Sequence, residues 1–132
     1  MTYEEEELEF KKLMFKVKVL KKARRGRLTY NEIGRDDYFE SKRPKKIKQL
    51  NIVVWDQIST EANQIIENLV KEEIIFAIKE DAIPYVETGI TLDLPLADKL
   101  EIQSKEAWLP VSYWHKNHPC AKVLIKNKIN IY

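Results

Sequence analysis

The two histidines and the only cysteine of the chain lie close together, as His115, His118 and Cys120. Imidazole nitrogen and thiolate sulfur are preferred zinc ligands, so this segment is a candidate metal site. Their order and spacing match no zinc motif, and Pro119 restricts how the backbone could wrap an ion. We therefore expect no metal or other cofactor, with these three residues as the positions to check.

Other patterns typical of catalysis are missing from the sequence. The glycines Gly26, Gly34 and Gly89 stand alone, so no glycine-rich phosphate loop is present, and no serine lies in a nucleophile elbow. Several carboxylates could be assembled on paper into a metal-dependent nuclease, which stays open as a third interpretation: Asp36, Asp37, Asp93, Asp98 and Glu101. The sequence predicts a protein that is not an enzyme.

The formal net charge of +2 conceals three blocks of different sign. Residues 1–10 hold five acids and no base, residues 11–50 hold 15 bases and four acids, and residues 51–132 hold eight bases and 12 acids. The basic block would create a local positive field that attracts phosphates, whereas charged residues also commonly coat solvated helix faces. The candidate nucleic-acid contacts are Lys21, Lys22, Arg24, Arg25, Arg27, Lys42, Arg43, Lys45, Lys46 and Lys48.

The densest aromatic stretch runs from Trp108 to Trp114. It can be core, or it can anchor a protein partner, because Trp and Tyr are enriched in interfaces. In an extended chain, neighbouring positions point to opposite faces, so we expect one face to be buried and the other to be available. The candidate partner-binding residues are Trp108, Tyr113 and Trp114.

A long helix is predicted over Tyr3 to Arg25, since acids lie near its start, bases lie near its end, and Gly26 can terminate it. Its apolar face is expected to hold Phe10, Leu13, Met14, Val17 and Leu20. A strand over Phe15 to Leu20 is the competing interpretation. Part of the apolar stripe is expected to stay exposed.

Further helices are predicted before residue 72. Thr29 can cap a short helix over Tyr30 to Ile33, and Pro44 can open a helix with Ile47, Leu50, Val54 and Ile58 on one face. Ser59 or Thr60 caps a third helix that ends near Lys71, with Ala62, Ile65, Ile66, Leu69 and Val70 in one stripe.

After residue 72 the pattern changes to strands. A buried strand is predicted over Ile74 to Ile78, and a half-buried edge strand over Ile90 to Leu96. A short helix over Cys120 to Ile125 precedes Ile129 and Ile131, which would close the sheet. The predicted class is α+β, with a helical domain over residues 1–72 and a small β-rich domain over residues 73–132. Each half has little core, so we expect the chain to need a partner.

Two segments resemble the helical domain of GINS subunits: Arg43 to Leu50, RPKKIKQL, and Ile58 to Leu69, ISTEANQIIENL. Leu109-Pro110, the run Ala121 to Ile125 and Ile131 resemble the small β domain that ends the archaeal GINS subunit with its helical domain first. This resemblance implies a scaffold that assembles with sister subunits and the replicative helicase at the replication fork, with accessory DNA contact. The short chain and Pro44 depart from the family pattern.

The main alternative is a winged-helix DNA-binding protein, such as a transcriptional, viral or plasmid regulator. In it, Ser59 to Lys71 would be the recognition helix and Ile74 to Thr91 the wing. The exposed helix face carries Glu61 and Glu67 and no arginine, which suits phosphate contact poorly.

Composition and chain start bear on location. The chain has no apolar run of about 20 residues, as a membrane span would require, and its acidic start is unlike a signal peptide. We therefore expect a cytoplasmic protein that forms oligomers and contacts no membrane, and association with the nucleoid stays open.

Overall fold

The chain begins with helix α1, Tyr3–Arg25, in the computed structural model, which describes all 132 residues. The Thr2 hydroxyl accepts a hydrogen bond from the Glu5 N–H at 3.1 Å, which satisfies one of the free donors at the helix start. At the other end, the N–H of Gly26 donates to the Lys22 carbonyl. The predicted long helix is confirmed, and the competing strand is wrong.

The buried face of α1 is not the predicted one. Phe15, Val19 and Ala23 are buried, and the ring of Phe15 meets Phe39 edge to face at a centroid distance of 6.0 Å. Of the predicted stripe, Leu20 is half-buried, and the other four members are exposed: Phe10, Leu13, Met14 and Val17. Both sets have helical spacing, so the periodicity could not tell which one meets the rest of the fold.

Helix α2, Tyr30–Asp36, follows a short connection. Thr29 and Glu32 form a capping box, in which each residue's backbone N–H donates to the other's side chain. The predicted short helix is confirmed and continues through Gly34 to Asp36. Beyond it, the Asp37 carboxylate accepts hydrogen bonds from the backbone N–H and the hydroxyl of Ser59, at 2.9 and 2.7 Å.

The helix predicted from Pro44 to Ile58 is wrong. This segment forms strand β1, Lys42–Ile47, a 3₁₀ turn over Lys48–Leu50, and strand β2, Ile52–Ser59. Asn51, with a left-handed φ of 58°, lets the chain reverse, and Pro44 is tolerated because β1 lies at the edge of its sheet. The buried run Ile52 to Trp55 favours a strand, which pairs with β1.

Helix α3, Thr60–Lys71, and strand β3, Ile75–Lys79, confirm the predicted change from helix to strand. Helix α4, Ile83–Thr88, comes next, with Pro84 in its first turn. The strand predicted over Ile90 to Leu96 is wrong, because only Leu96 forms an isolated bridge, to Trp108.

The remaining elements are short. They are strand β4, Ala107–Trp108, strand β5, Val111–His115, helix α5, Ala121–Leu124, a 3₁₀ turn over Ile125–Asn127, and strand β6, Lys128–Ile129. The predicted short helix is confirmed as α5. Ile129, in β6, extends the sheet as predicted, while Ile131 lies beyond the strand.

Two three-stranded sheets organise the fold. One has the order β1-β2-β4, with β1 antiparallel and β4 parallel to β2, and the other has the order β5-β3-β6, with antiparallel pairs. The main hydrophobic core contains 24 buried residues taken from both sides of residue 72, including Trp55, Tyr85 and Trp108. The domain boundary at residue 72 stays a prediction. None of the helices combines the length and apolar character that a membrane crossing requires.

Candidate nucleic-acid and partner surfaces

Strand β1 and the turn after it carry five basic residues, which we call the basic edge: Lys42, Arg43, Lys45, Lys46 and Lys48. Three of them, Lys42, Arg43 and Lys48, are exposed and form no ion pair or side-chain hydrogen bond within the chain. Lys46 pairs with Glu106 at 3.1 Å. An edge strand offers its outer side to solvent, so the three unpaired side chains are free to meet an anion.

Lys45 is held differently from its neighbours. Its ammonium donates to the Asn63 side chain at 2.9 Å and lies 3.8 Å from the centre of the Tyr132 ring, a cation–π contact. Burial lowers the pKa of Lys45 from 10.5 to about 8, and the charge of Glu67 acts in the opposite direction. The side chain is therefore turned into the fold, and it is a weaker candidate for phosphate contact than the three free bases.

Five predicted nucleic-acid contacts lie at the carboxyl end of α1 or just after it, and three of them form ion pairs within the chain. Lys22 pairs with Asp36 at 2.5 Å, Arg25 pairs with Glu32, and Arg27 pairs with Glu80 at 3.3 Å. The first two of these acids, Asp36 and Glu32, belong to helix α2, which directly follows α1 in the chain. These three predicted nucleic-acid contacts are thus used internally.

Lys21 and Arg24 differ from the other bases at this end of α1. Both are exposed, and neither has an ion-pair partner within the chain. Lys21 and Arg24 lie on helix α1, whereas the basic edge lies on strand β1 and the turn after it.

The aromatic stretch is buried on both of its faces. Trp108 packs against Tyr85 at 5.1 Å between ring centres, and the Tyr113 hydroxyl lies 2.5 Å from that of Tyr30. Trp114 belongs to a smaller cluster on the other side of the sheet, where its indole N–H donates to the Ser112 hydroxyl at 3.0 Å. The expectation that one face is open to a partner is wrong, because α5 covers the face that does not pack against the main core.

The His115, His118 and Cys120 segment makes local hydrogen bonds. The His118 Nδ1 accepts from the Cys120 N–H at 3.0 Å, so its Nε2–H donates to the Arg25 carbonyl at 3.2 Å. His115 Nδ1 accepts from the Asn117 N–H at 3.0 Å, and burial, with the charges of Arg24 and Lys116, lowers its pKa. Cys120 is exposed and free. No three His, Cys, Asp or Glu side chains come together in a way that could hold a metal ion.

The acids considered for a nuclease are likewise dispersed. Asp36 pairs with Lys22, Asp37 binds Ser59, and the other three lie in the irregular segment after α4: Asp93, Asp98 and Glu101. A cavity of about 450 Å³ between the end of α3 and β6 is lined mainly by apolar side chains such as Val70, Phe76 and Ile129. Its polar lining residues include Lys71, Glu73, Lys128 and Tyr132.

Comparison with known proteins assigns this chain to no family. No family model, curated protein or solved structure matches it.

The predicted wing does not form. Its segment, Ile74 to Thr91, contains β3, the central strand of a sheet, and the helix α4, so no hairpin extends from α3. On the exposed side of α3, the Gln64 amide donates to the Asn68 side chain at 2.9 Å, so these two polar groups satisfy each other. The prediction that part of the apolar stripe of α1 stays exposed is confirmed, since four of its five members are exposed.

Proposed function

We propose that this protein is a non-enzymatic scaffold that contacts nucleic-acid phosphates through its basic edge and assembles with other protein chains. The observation that carries the proposal is the set of free bases on an exposed edge strand, Lys42 and Arg43, with Lys48 beside them. Phosphate contact needs exposed cations that no acid of the same chain neutralises. The setting we propose is intracellular.

The GINS resemblance supplies the proposed context, which is a replication-fork assembly with sister subunits and a helicase. The order of a long helix first and a β-rich half last supports it. The segment Arg43 to Leu50, one of those that carry the resemblance, is a strand and a 3₁₀ turn here and lends it no support as a helix.

A purely structural explanation of the basic edge competes with this proposal. Lysines on an edge strand also prevent that strand from pairing with another chain, with no ligand involved. The two explanations differ in what salt does to nucleic-acid binding, because each phosphate contact releases counterions.

The test is fluorescence anisotropy of a labelled DNA duplex, titrated at several salt concentrations with the wild type and with Lys42→Gln/Arg43→Gln/Lys48→Gln. We expect the triple variant to bind more weakly and to flatten the dependence of log K on log salt by about 1 for each lost phosphate contact. Duplexes of different sequence should bind alike.

The matched control removes three exposed bases elsewhere, as Lys99→Gln/Lys122→Gln/Lys126→Gln. It changes the net charge by the same amount, so its salt dependence should stay close to that of the wild type. Equal slopes for all three proteins would show that the basic edge makes no phosphate contact and would refute the proposal.

A further inference from the structure

The outer side of α1 carries an ordered set of residues, which we call the outer stripe. Because a helix has about 3.6 residues per turn, these residues lie roughly half a turn from the buried Phe15, Val19 and Ala23. The outer stripe consists of Tyr3, Glu6, Phe10, Leu13, Met14, Val17, Lys21 and Arg24. Most of it therefore faces away from the rest of the fold, while Arg24 at its carboxyl end lies close enough to His115 for its charge to lower the pKa of that imidazole.

The apolar middle of the outer stripe has no cover. Phe10 is 63%, Leu13 57% and Val17 48% exposed. The first buried residue of α1 is Phe15, so the 12 residues before it, from Tyr3, extend the helix by about 18 Å without a buried contact. A helix of that length is marginal by itself in water, so a second surface alongside it would stabilise it.

The charges of the outer stripe are arranged by sign along the helix. Glu6 lies at the amino end, and Lys21 and Arg24 lie at the carboxyl end. None of the three has an ion-pair partner in the chain, although Lys22 and Arg25 beside them do. An identical helix laid antiparallel would bring opposite charges together at both ends, whereas a parallel one would place Glu6 against Glu6.

We propose that the outer stripe binds a second copy of this chain, with the two α1 helices antiparallel about a two-fold axis near Leu13 and Met14. Phe10 of one copy then packs near Val17 of the other, and Glu6 meets Lys21 and Arg24 at each end. The two folds lie on opposite sides of the helix pair, since each α1 buries the other face. In this dimer the partner is a second copy of the same chain. The inference rests on the part of the proposed function that concerns assembly with other protein chains.

The test is sedimentation velocity of the full chain over a wide concentration range. A contact of a few helical turns is small, so we expect a concentration-dependent dimer rather than a permanent one. Glu6→Lys should weaken dimerisation about tenfold or more, because two attractive contacts per dimer become repulsive. The variant Lys21→Glu/Arg24→Glu should do the same.

Two controls change the same charges on other faces of α1. Glu5→Lys and Lys16→Glu alter exposed residues that form no ion pair and lie off the outer stripe, so each should shift the dimer dissociation constant by no more than about twofold. Thermal melts should show that all of these variants keep the fold, since every substituted residue is exposed.

Recombining the substitutions tests the antiparallel arrangement. The triple variant Glu6→Lys/Lys21→Glu/Arg24→Glu should recover the homodimer, because its charges are exchanged end for end, whereas parallel helices would still repel. A monomeric wild type at every concentration, or a wild-type dimer that the triple variant fails to restore, would overturn the proposal. If monomeric variants still bind nucleic acid, the proposed phosphate contact remains valid even when the proposed dimer is refuted.

Discussion

At the scale of single residues, the end of α1 depends on Gly26. Its φ of +100° is a conformation that residues with a Cβ rarely adopt, and a Cβ there would lie 2.6 Å from the Trp114 ring and 2.8 Å from the His118 Nε2. The bulk of Trp114 cannot withdraw easily because the ring is buried in the smaller cluster. The glycine thus lets the α1 terminus pack closely on β5 and on the turn that follows it.

Gly26→Ala should therefore lower the free energy of unfolding by about 1–3 kcal/mol, through backbone strain and the clash with Trp114. Gly34→Ala is the control, since a Cβ at Gly34 in α2 meets nothing within 4 Å. Alanine there should be neutral or stabilise by about 0.5–1 kcal/mol. Urea denaturation of both variants measures the difference, and a Gly26→Ala protein as stable as the wild type would contradict the close packing.

The lowered pKa of Lys45 predicts how the free energy of unfolding changes with pH. Its pKa falls from 10.5 in the unfolded chain to about 8 in the fold, so between these values the unfolded chain binds more protons and stability rises with pH. Burial raises the pKa of Tyr30 and Tyr113 above the usual 10.0, so above that pH the unfolded chain loses protons first and stability falls.

Thermal melts across this range should show the melting temperature rising above about pH 8 and falling beyond about pH 10. Lys45→Met should flatten the rise and leave the fall, because the tyrosines are unchanged. An identical rise in Lys45→Met would show that another group is responsible.

At the scale of elements, local signals identified helices α1, α2, α3 and α5 but failed for α4 and for the β1–β2 hairpin. Caps and periodicity lie within a few residues of one another, which is why α1, α2 and α3 could be predicted. Between Pro44 and Ile58, helical spacing competed with the apolar run Ile52 to Trp55. Strand pairing decided the outcome, since β2 pairs with β4, more than 50 residues later in the chain.

For the candidate surfaces, the sequence predicts which residue types are present but not which of those side chains are exposed and unpaired. The bases of residues 11–50 are visible in the sequence, but their availability depends on acids brought close by folding, such as Glu80 beside Arg27 and Glu106 beside Lys46. The aromatic stretch shows the same limit, because its burial depends on contacts such as that between Tyr113 and Tyr30, 83 residues apart. Sequence spacing within one element cannot report these partners.

At the scale of the whole molecule, two exposed surfaces remain after the internal pairs are assigned. The basic edge lies on the hairpin β1–β2, and the outer stripe lies on α1. If one contacts phosphates and the other joins two copies, the dimer presents two basic edges to nucleic acid. Two linked contacts bind more tightly than one, because the second binding event becomes intramolecular.

The measurement that tests this account most directly is the number of chains bound to one labelled DNA duplex in sedimentation equilibrium. We expect wild-type chains of 15.7 kDa to bind in pairs and Glu6→Lys to bind singly and more weakly. The variant Lys42→Gln/Arg43→Gln/Lys48→Gln should still dimerise and should bind the duplex more weakly than the wild type. Wild-type chains that bind singly, or that leave the duplex free at low salt, would contradict it.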